Sequence, residues 1–139
     1  MGYGMGRRYR RSLPFTTNMP SIPKPSPKIL RIVMTTEDDK GLSSLIAARF
    51  ARAPFITLVD ASEGRILNVN VIRNSIASLP HGAGVALGQW LASIGVDVVM
   101  AVTLGPNISM ILNQAGIRVE RIPYGTKVKE ALARLGISA

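Results

Sequence analysis

From Ile29 onward the hydrophobic positions follow two rhythms, short strand-like runs first and one-faced helical spacings later. Ile29-Leu30-Arg31-Ile32-Val33-Met34 is a nearly continuous apolar run that closes at Thr35-Thr36, which predicts a buried first strand. Pro54 to Asp60 (PFITLVD) predicts a second strand, and Arg65 to Arg73 (RILNVNVIR) a third with β-branched alternation. The turn Ala61-Ser62-Glu63-Gly64 is so short that these two strands must pair antiparallel. Leu87, Trp90, Leu91 and Ile94 then fall at i, i+3, i+4 and i+7. Ile108, Ile111, Leu112 and Ala115 repeat the spacing, and Val128, Ala131, Leu132 and Leu135 repeat it again, so three one-faced helices are predicted. Gly95 and Gly116 stand where helix-ending glycines belong. Asp97–Val102 and Ile117–Ile122 supply two more strands between the helices.

The resulting order, βββαβαβα, predicts an α/β fold with a five-stranded mixed sheet and helices on its faces. Strand 2 is the antiparallel member, and the helix-linked strands run parallel through right-handed crossovers. Residues 36–54, 74–84, 103–107 and 123–126 then share one edge of the sheet. Only short turns near 61–64, 95–96 and 116 occupy the other. Ligands of open α/β sheets sit at the carboxyl ends of the strands, so the long-loop edge is the predicted site.

Charge divides the chain at the same place as hydropathy. The net charge is +9, yet residues 1–28 carry six basic residues (Arg7, Arg8, Arg10, Arg11, Lys24, Lys28) and no acidic one. That stretch, with Gly2, Gly4, Gly6 and five prolines, is expected to stay disordered or to pack loosely along the body, residues 29–139. Tyr3, Tyr9 and Phe15 interleave with its arginines, a composition that suits an arm contacting nucleic acid, although a charge run of this kind is more often a solvated extension with no partner. A natural start at Met19 is an alternative beginning. With 0 cysteines the chain has no disulfide, thiolate zinc site, Cys-ligated cluster or thiol nucleophile. Apolar runs of strand length predict no membrane span, and a cytoplasmic location fits the absence of cysteine.

Two turns on the predicted site edge start helices: His81-Gly82-Ala83-Gly84 and Leu104-Gly105-Pro106-Asn107. Each frees backbone N–H groups at a helix N-terminus, where anions bind readily. Plain helix initiation explains the same residues, with Pro106 in the first turn and Gly82 and Gly84 easing a tight strand-to-helix passage. His81, the single histidine, reads either as a helix-start packing residue or as one imidazole ligand for a metal. Arg49 and Arg52 pair with an anion at the mouth or with Glu37, Asp38 or Asp39 nearby. Leu42, Leu45, Ile46 and Arg49 have helical spacing, so this connection is expected to hold a short helix. Met34, Met100, Met110 and Trp90 read as core. No nucleophile–base pair and no paired-carboxylate signature is visible.

These turns carry a family resemblance. The opening strand with Thr35-Thr36, the Phe50–Phe55 string, His81-Gly82-Ala83-Gly84 and Gly105-Pro106-Asn107 with Ala115-Gly116-Ile117 resemble the dinitrogenase iron-molybdenum cofactor biosynthesis family, the NifX-type domain, over roughly residues 29–136. The resemblance implies a three-layer ribonuclease-H-like fold without that enzyme's catalytic acids. It also implies a carrier of metal–sulfur clusters, of the iron–molybdenum or molybdenum–copper sulfide type. Ala51 stands where the family often has glycine, Arg49 where it often has histidine, and Val102-Thr103 replaces a more glycine-rich approach.

The expectation is therefore a non-enzymatic carrier or scaffold for an anionic metal–sulfur cluster, weakly or transiently bound, with no organic cofactor. Thr36, Arg52, His81, Gly82, Ala83, Gly84, Gly105, Pro106 and Asn107 are the expected binding residues, with His81 the one metal ligand. A cluster donor or acceptor protein is the expected partner. Two alternatives remain: a nucleic-acid-binding protein acting through the basic tail, and an enzyme acting on a small phosphate-bearing ligand.

Overall fold

A computed structural model describes residues 19–139, and the expectations for the arginine-rich stretch before Met19 lie outside the described residues. β1 (Leu30–Thr36), β2 (Phe55–Ser62) and β3 (Arg65–Arg73) are followed by α1 (Ala83–Ser93), β4 (Val98–Ala101), α2 (Pro106–Gln114), β5 (Arg118–Arg121) and α3 (Val128–Arg134). The sheet order is β3-β2-β1-β4-β5. β2 pairs antiparallel with both β1 and β3, whereas β4 pairs parallel with β1 and with β5. This is the predicted three-layer α/β architecture, with β2 as the reversed strand.

Strand alternation divides the core between the two faces. Val33 of β1 packs toward α1 and α2 with Leu58, Leu87, Leu91, Val99, Ile108 and Leu112. Its neighbours Ile32 and Met34 face α3 with Val59, Val98, Met100, Val128 and Leu132. Each such side chain contributes roughly 1.5–3 kcal/mol when fully withdrawn from water. Met34 and Met100 are core as expected, but Met110 projects outward with 59% of its surface exposed. The β2–β3 turn uses two residues with positive φ, Glu63 (52°) and Gly64 (78°), a twist that suits a two-residue hairpin. Between the Asp60–Asn68 and Ala61–Ile66 pairs, Leu67 is left over as a bulge residue.

The expected helix over Leu42–Arg49 is absent. The connection instead holds two single 3-10 turns, Gly41–Ser43 and Phe50–Arg52. Its backbone groups are engaged outward: Ile46 N–H donates to Thr126 O, Ala47 N–H to Thr35 O, and Ser44 O accepts from Val128 N–H. A helix would need those same groups for itself, so tertiary pairing overrides the local spacing.

Residues 19–28 lie along the α1 side of the body. Met19 and Ile22 pack on the core beneath α1 and α2. Trp90, half-buried, donates its Nε1–H to Pro20 O at 2.9 Å. Arg31 donates to Pro23 O at 3.0 Å and to Ile94 O at 2.7 Å, while gripping the Asp60 carboxylate through Nε and Nη2 at 2.8 and 3.0 Å. No helix among the described residues is long and apolar enough to cross a membrane.

Candidate functional site

The parallel strands β1, β4 and β5 deliver their carboxyl ends to one edge, and the long connections meet there. Arg49 forms a parallel bridge with Thr103, which ties the first connection to the turn before α2. Leu45 bridges Lys127, drawing residues 123–126 to the same edge. Asn74 donates from Nδ2 to Ala53 O at 2.9 Å and to Ala51 O at 3.3 Å, which fixes the Phe50–Arg52 turn against the end of β3.

Between these connections lies an open cleft of about 390 Å³. Its walls are Arg49 to Arg52, Gly82 to Gly84, Thr103 and Gly105 to Ile108. Two helices begin in it. The first intrahelical donors are Ala86, to Gly82 O at 2.9 Å, and Ser109, to Gly105 O at 3.2 Å. The N–H groups of Ala83, Gly84 and Val85 in α1, and of Asn107 and Ile108 in α2, therefore have no intrahelical acceptor. No side chain caps either helix. By contrast, α3 starts with Lys127 N–H donating to Glu130 Oε1 at 2.8 Å. The two open N-termini are those aimed at the cleft.

Local sequence explains each turn. Gly82 has φ +75°, the left-handed region, as the N-cap residue of α1. At α2, Pro106 occupies the first helical position, where its missing N–H costs nothing. The approach of the helices depends on Gly88, where an added Cβ would stand only 2.9 Å from Ile111 Cγ2; at Gly84 it would make ordinary contact, 3.5 Å from Ile108 Cβ.

Seven of the expected residues come together in this cleft: Arg52, Gly82, Ala83, Gly84, Gly105, Pro106 and Asn107. Two do not line it. His81 is exposed just before Gly82, outside the lining residues. Thr36 is fully buried, with its hydroxyl 2.9 Å from Asp38 O and 3.1 Å from Thr57 Oγ1. It holds the start of the first connection and leaves the cleft to other residues. The Ser44 hydroxyl there is also the main influence holding the Asp38 carboxyl below the ordinary carboxylate range, with Lys40 assisting. Arg49 and Thr103, outside the expected set, do line the cleft.

The electrostatics follow from the lining. Two arginines and two helix N-termini face the cleft, and no aspartate or glutamate lines it. Among the described residues no group of three His, Cys, Asp or Glu side chains could hold a bare metal ion. This donor set suits an anion held through backbone N–H groups and positive charge.

The sequence profile of a family described as dinitrogenase iron-molybdenum cofactor matches residues 28–136. The apo form of the orange protein from Desulfovibrio gigas is similar in structure, with a TM-score of 0.67 at 34% identity, over 76% of this chain and 85% of that one. A NifB-like protein from Thermotoga superimposes with a TM-score of 0.62 at 36% identity, over 76% of this chain and 86% of that one. An uncharacterized protein of Methanocaldococcus jannaschii is 24% identical over 92 residues, which is 66% of this chain and 74% of that protein.

Proposed function

Because the chain belongs to the dinitrogenase iron-molybdenum cofactor family, we propose that it is a non-enzymatic carrier or scaffold for an anionic metal–sulfur cluster. The observation that carries this reading is a cleft in which two uncapped helix N-termini meet, walled by two arginines and by no carboxylate. Free N–H groups of Ala83, Gly84, Asn107 and Ile108 would bond to terminal sulfide or oxo groups of the cargo. His81, at the rim, would add at most one imidazole. An open cleft without thiolates binds loosely, which suits cargo taken from one protein and passed to another.

Iron–molybdenum precursors and molybdenum–copper sulfides are the cargo classes the family relation favours, and the similarity to the orange protein and the NifB-like protein supports the same direction. The test is anaerobic incubation with tetrathiomolybdate, with and without copper, followed by desalting and metal analysis. Retained molybdenum that is competed away by high salt is the expected result. A wild-type chain that emerges metal-free at low salt in both arms would sink the reading.

A further inference from the structure

Both arginines of the cleft come from one short stretch, yet the structure gives them different work. We infer that Arg49 makes the cleft selective for multiply charged anions, and that Arg52 is a positioning residue for the approach to α1. The inference rests on the anionic-cargo reading above and divides the labour within that site.

Arg52 is already engaged. Its Nη1 donates to Ala77 O at 2.8 Å and to Leu79 O at 2.6 Å, using both hydrogens of that nitrogen. Those carbonyls belong to the run that continues through Pro80 and His81 into Gly82. Arg52 thus staples the segment that sets where the α1 N-terminus lies.

Arg49 has a held backbone and a free side chain. Its parallel bridge to Thr103 and the neighbouring Phe50 N–H donated to Thr103 O fix its stem beside the turn before α2. Its guanidinium makes no salt bridge or hydrogen bond among the described residues, and it is exposed at the cleft wall. The lining holds no carboxylate to neutralise it. A helix N-terminus behaves as roughly half a positive charge, so the two together offer about one. Arg49 adds a whole charge and a planar five-donor fork. With Arg52, which keeps its charge in the same wall, the combination matches a multiply charged anion, such as a tetrahedral thiometallate or oxometallate, better than a monoanion.

The experiment measures equilibrium binding of tetrathiomolybdate to the full chain at several ionic strengths, for wild type, Arg49→Met, Arg49→Lys and Arg52→Met. Arg49→Met should bind about tenfold more weakly, the loss of one charge-assisted hydrogen bond, and with a flatter salt dependence. Arg49→Lys should restore the salt dependence while recovering only part of the affinity. Amide hydrogen exchange separates the two roles: Arg52→Met should accelerate exchange across residues 75–82, and Arg49→Met should leave that segment unchanged. Wild-type affinity and salt dependence in Arg49→Met, with tetrathiomolybdate bound by wild type, would overturn the inference and leave the carrier reading standing. Failure of wild type to bind tetrathiomolybdate at any salt would overturn both.

Discussion

A β-carbon placed on Gly88 would lie 2.9 Å from Ile111 Cγ2 and 3.2 Å from Ile111 Cβ. The two helices that open into the cleft are therefore in contact one turn below their N-termini with no room for a methyl group. Two effects oppose each other at this position. Alanine in place of glycine in a helix gains about 0.5–1 kcal/mol, whereas overpacking costs roughly 1–3 kcal/mol. The contact is with a β-branched side chain near its stem, which cannot swing aside. Overpacking should win, and Gly88→Ala should lower stability by about 1 kcal/mol in urea unfolding. In an Ile111→Ala background the same substitution should turn neutral or stabilising. Equal effects in both backgrounds would show that the two residues do not meet.

Gly82 and Gly84 stand two residues apart in the cleft wall, and their stabilities should respond in opposite directions. Gly82 sits at φ +75° with open space around its Cβ position, so alanine there meets strain without a clash. The left-handed region costs a side chain about 1–2 kcal/mol, and Gly82→Asn should lose less than Gly82→Ala. Gly84 is helical and a Cβ would make ordinary contact with Ile108 at 3.5 Å. Gly84→Ala should accordingly raise stability by about 0.5–1 kcal/mol. Urea midpoints of the three variants check this, and a stabilised Gly82→Ala would contradict the left-handed N-cap.

The Arg31–Asp60 pair couples β1, β2, the end of α1 and the segment before β1. Both side chains are nearly buried, at 7% and 12% exposure. Removing one member of such a pair leaves the other charge without compensation, at a cost of about 3–5 kcal/mol. Asp60→Ala should reach the lower end of that range, because Arg31 keeps the carbonyls of Pro23 and Ile94. The double variant Arg31→Met, Asp60→Leu should be more stable than Asp60→Ala alone. A double variant that is less stable would mean that the two carbonyl bonds outweigh the ion pair.

How far this molecule could be read from its sequence depends on the range of the interaction. The strand runs, the helical spacings and the glycines at 95 and 116 are local signals, and the element order and the reversal of β2 follow from them. The gathering of the long loops on one edge followed too, since short turns and parallel crossovers leave that edge to them, and Gly82–Gly84 and Gly105–Asn107 meet there at the cleft. What stayed hidden is set by contacts across the chain. Leu42 to Arg49 had helical spacing, but Ile46 and Ala47 bond to Thr126 and Thr35. Nothing within α1 singles out Gly88, because the position of α2 is not written there. The different partners of Arg49 and Arg52 were likewise out of reach, since Ala77 and Leu79 lie 25 and 27 residues beyond Arg52. Thr36 was drawn into the expected site by its place at a strand end, whereas its side chain turns toward Thr57.

Trp90 is the one tryptophan of the chain, and its Nε1–H bond to Pro20 O makes its fluorescence a reporter of the segment before β1. Met19 and Ile22 pack on the same core, and Lys24 passes over Gly95, where a Cβ would meet its side chain at 2.9 Å. Deleting residues through Pro23 should uncover the indole, shift its emission to the red and increase quenching by iodide. The deletion also removes the Arg31 bond to Pro23 O and part of the apolar cover, so stability should fall by about 1–3 kcal/mol. Trp90→Phe removes the hydrogen bond but keeps most of the ring, and should cost only about 0.5–1.5 kcal/mol. If the deletion left both emission and urea midpoint unchanged, the segment would not be packed against α1 in solution. Because α1 carries one of the two N-termini of the cleft at its far end, tetrathiomolybdate affinity measured on the same deletion tells whether this outer segment helps hold α1 in register with α2.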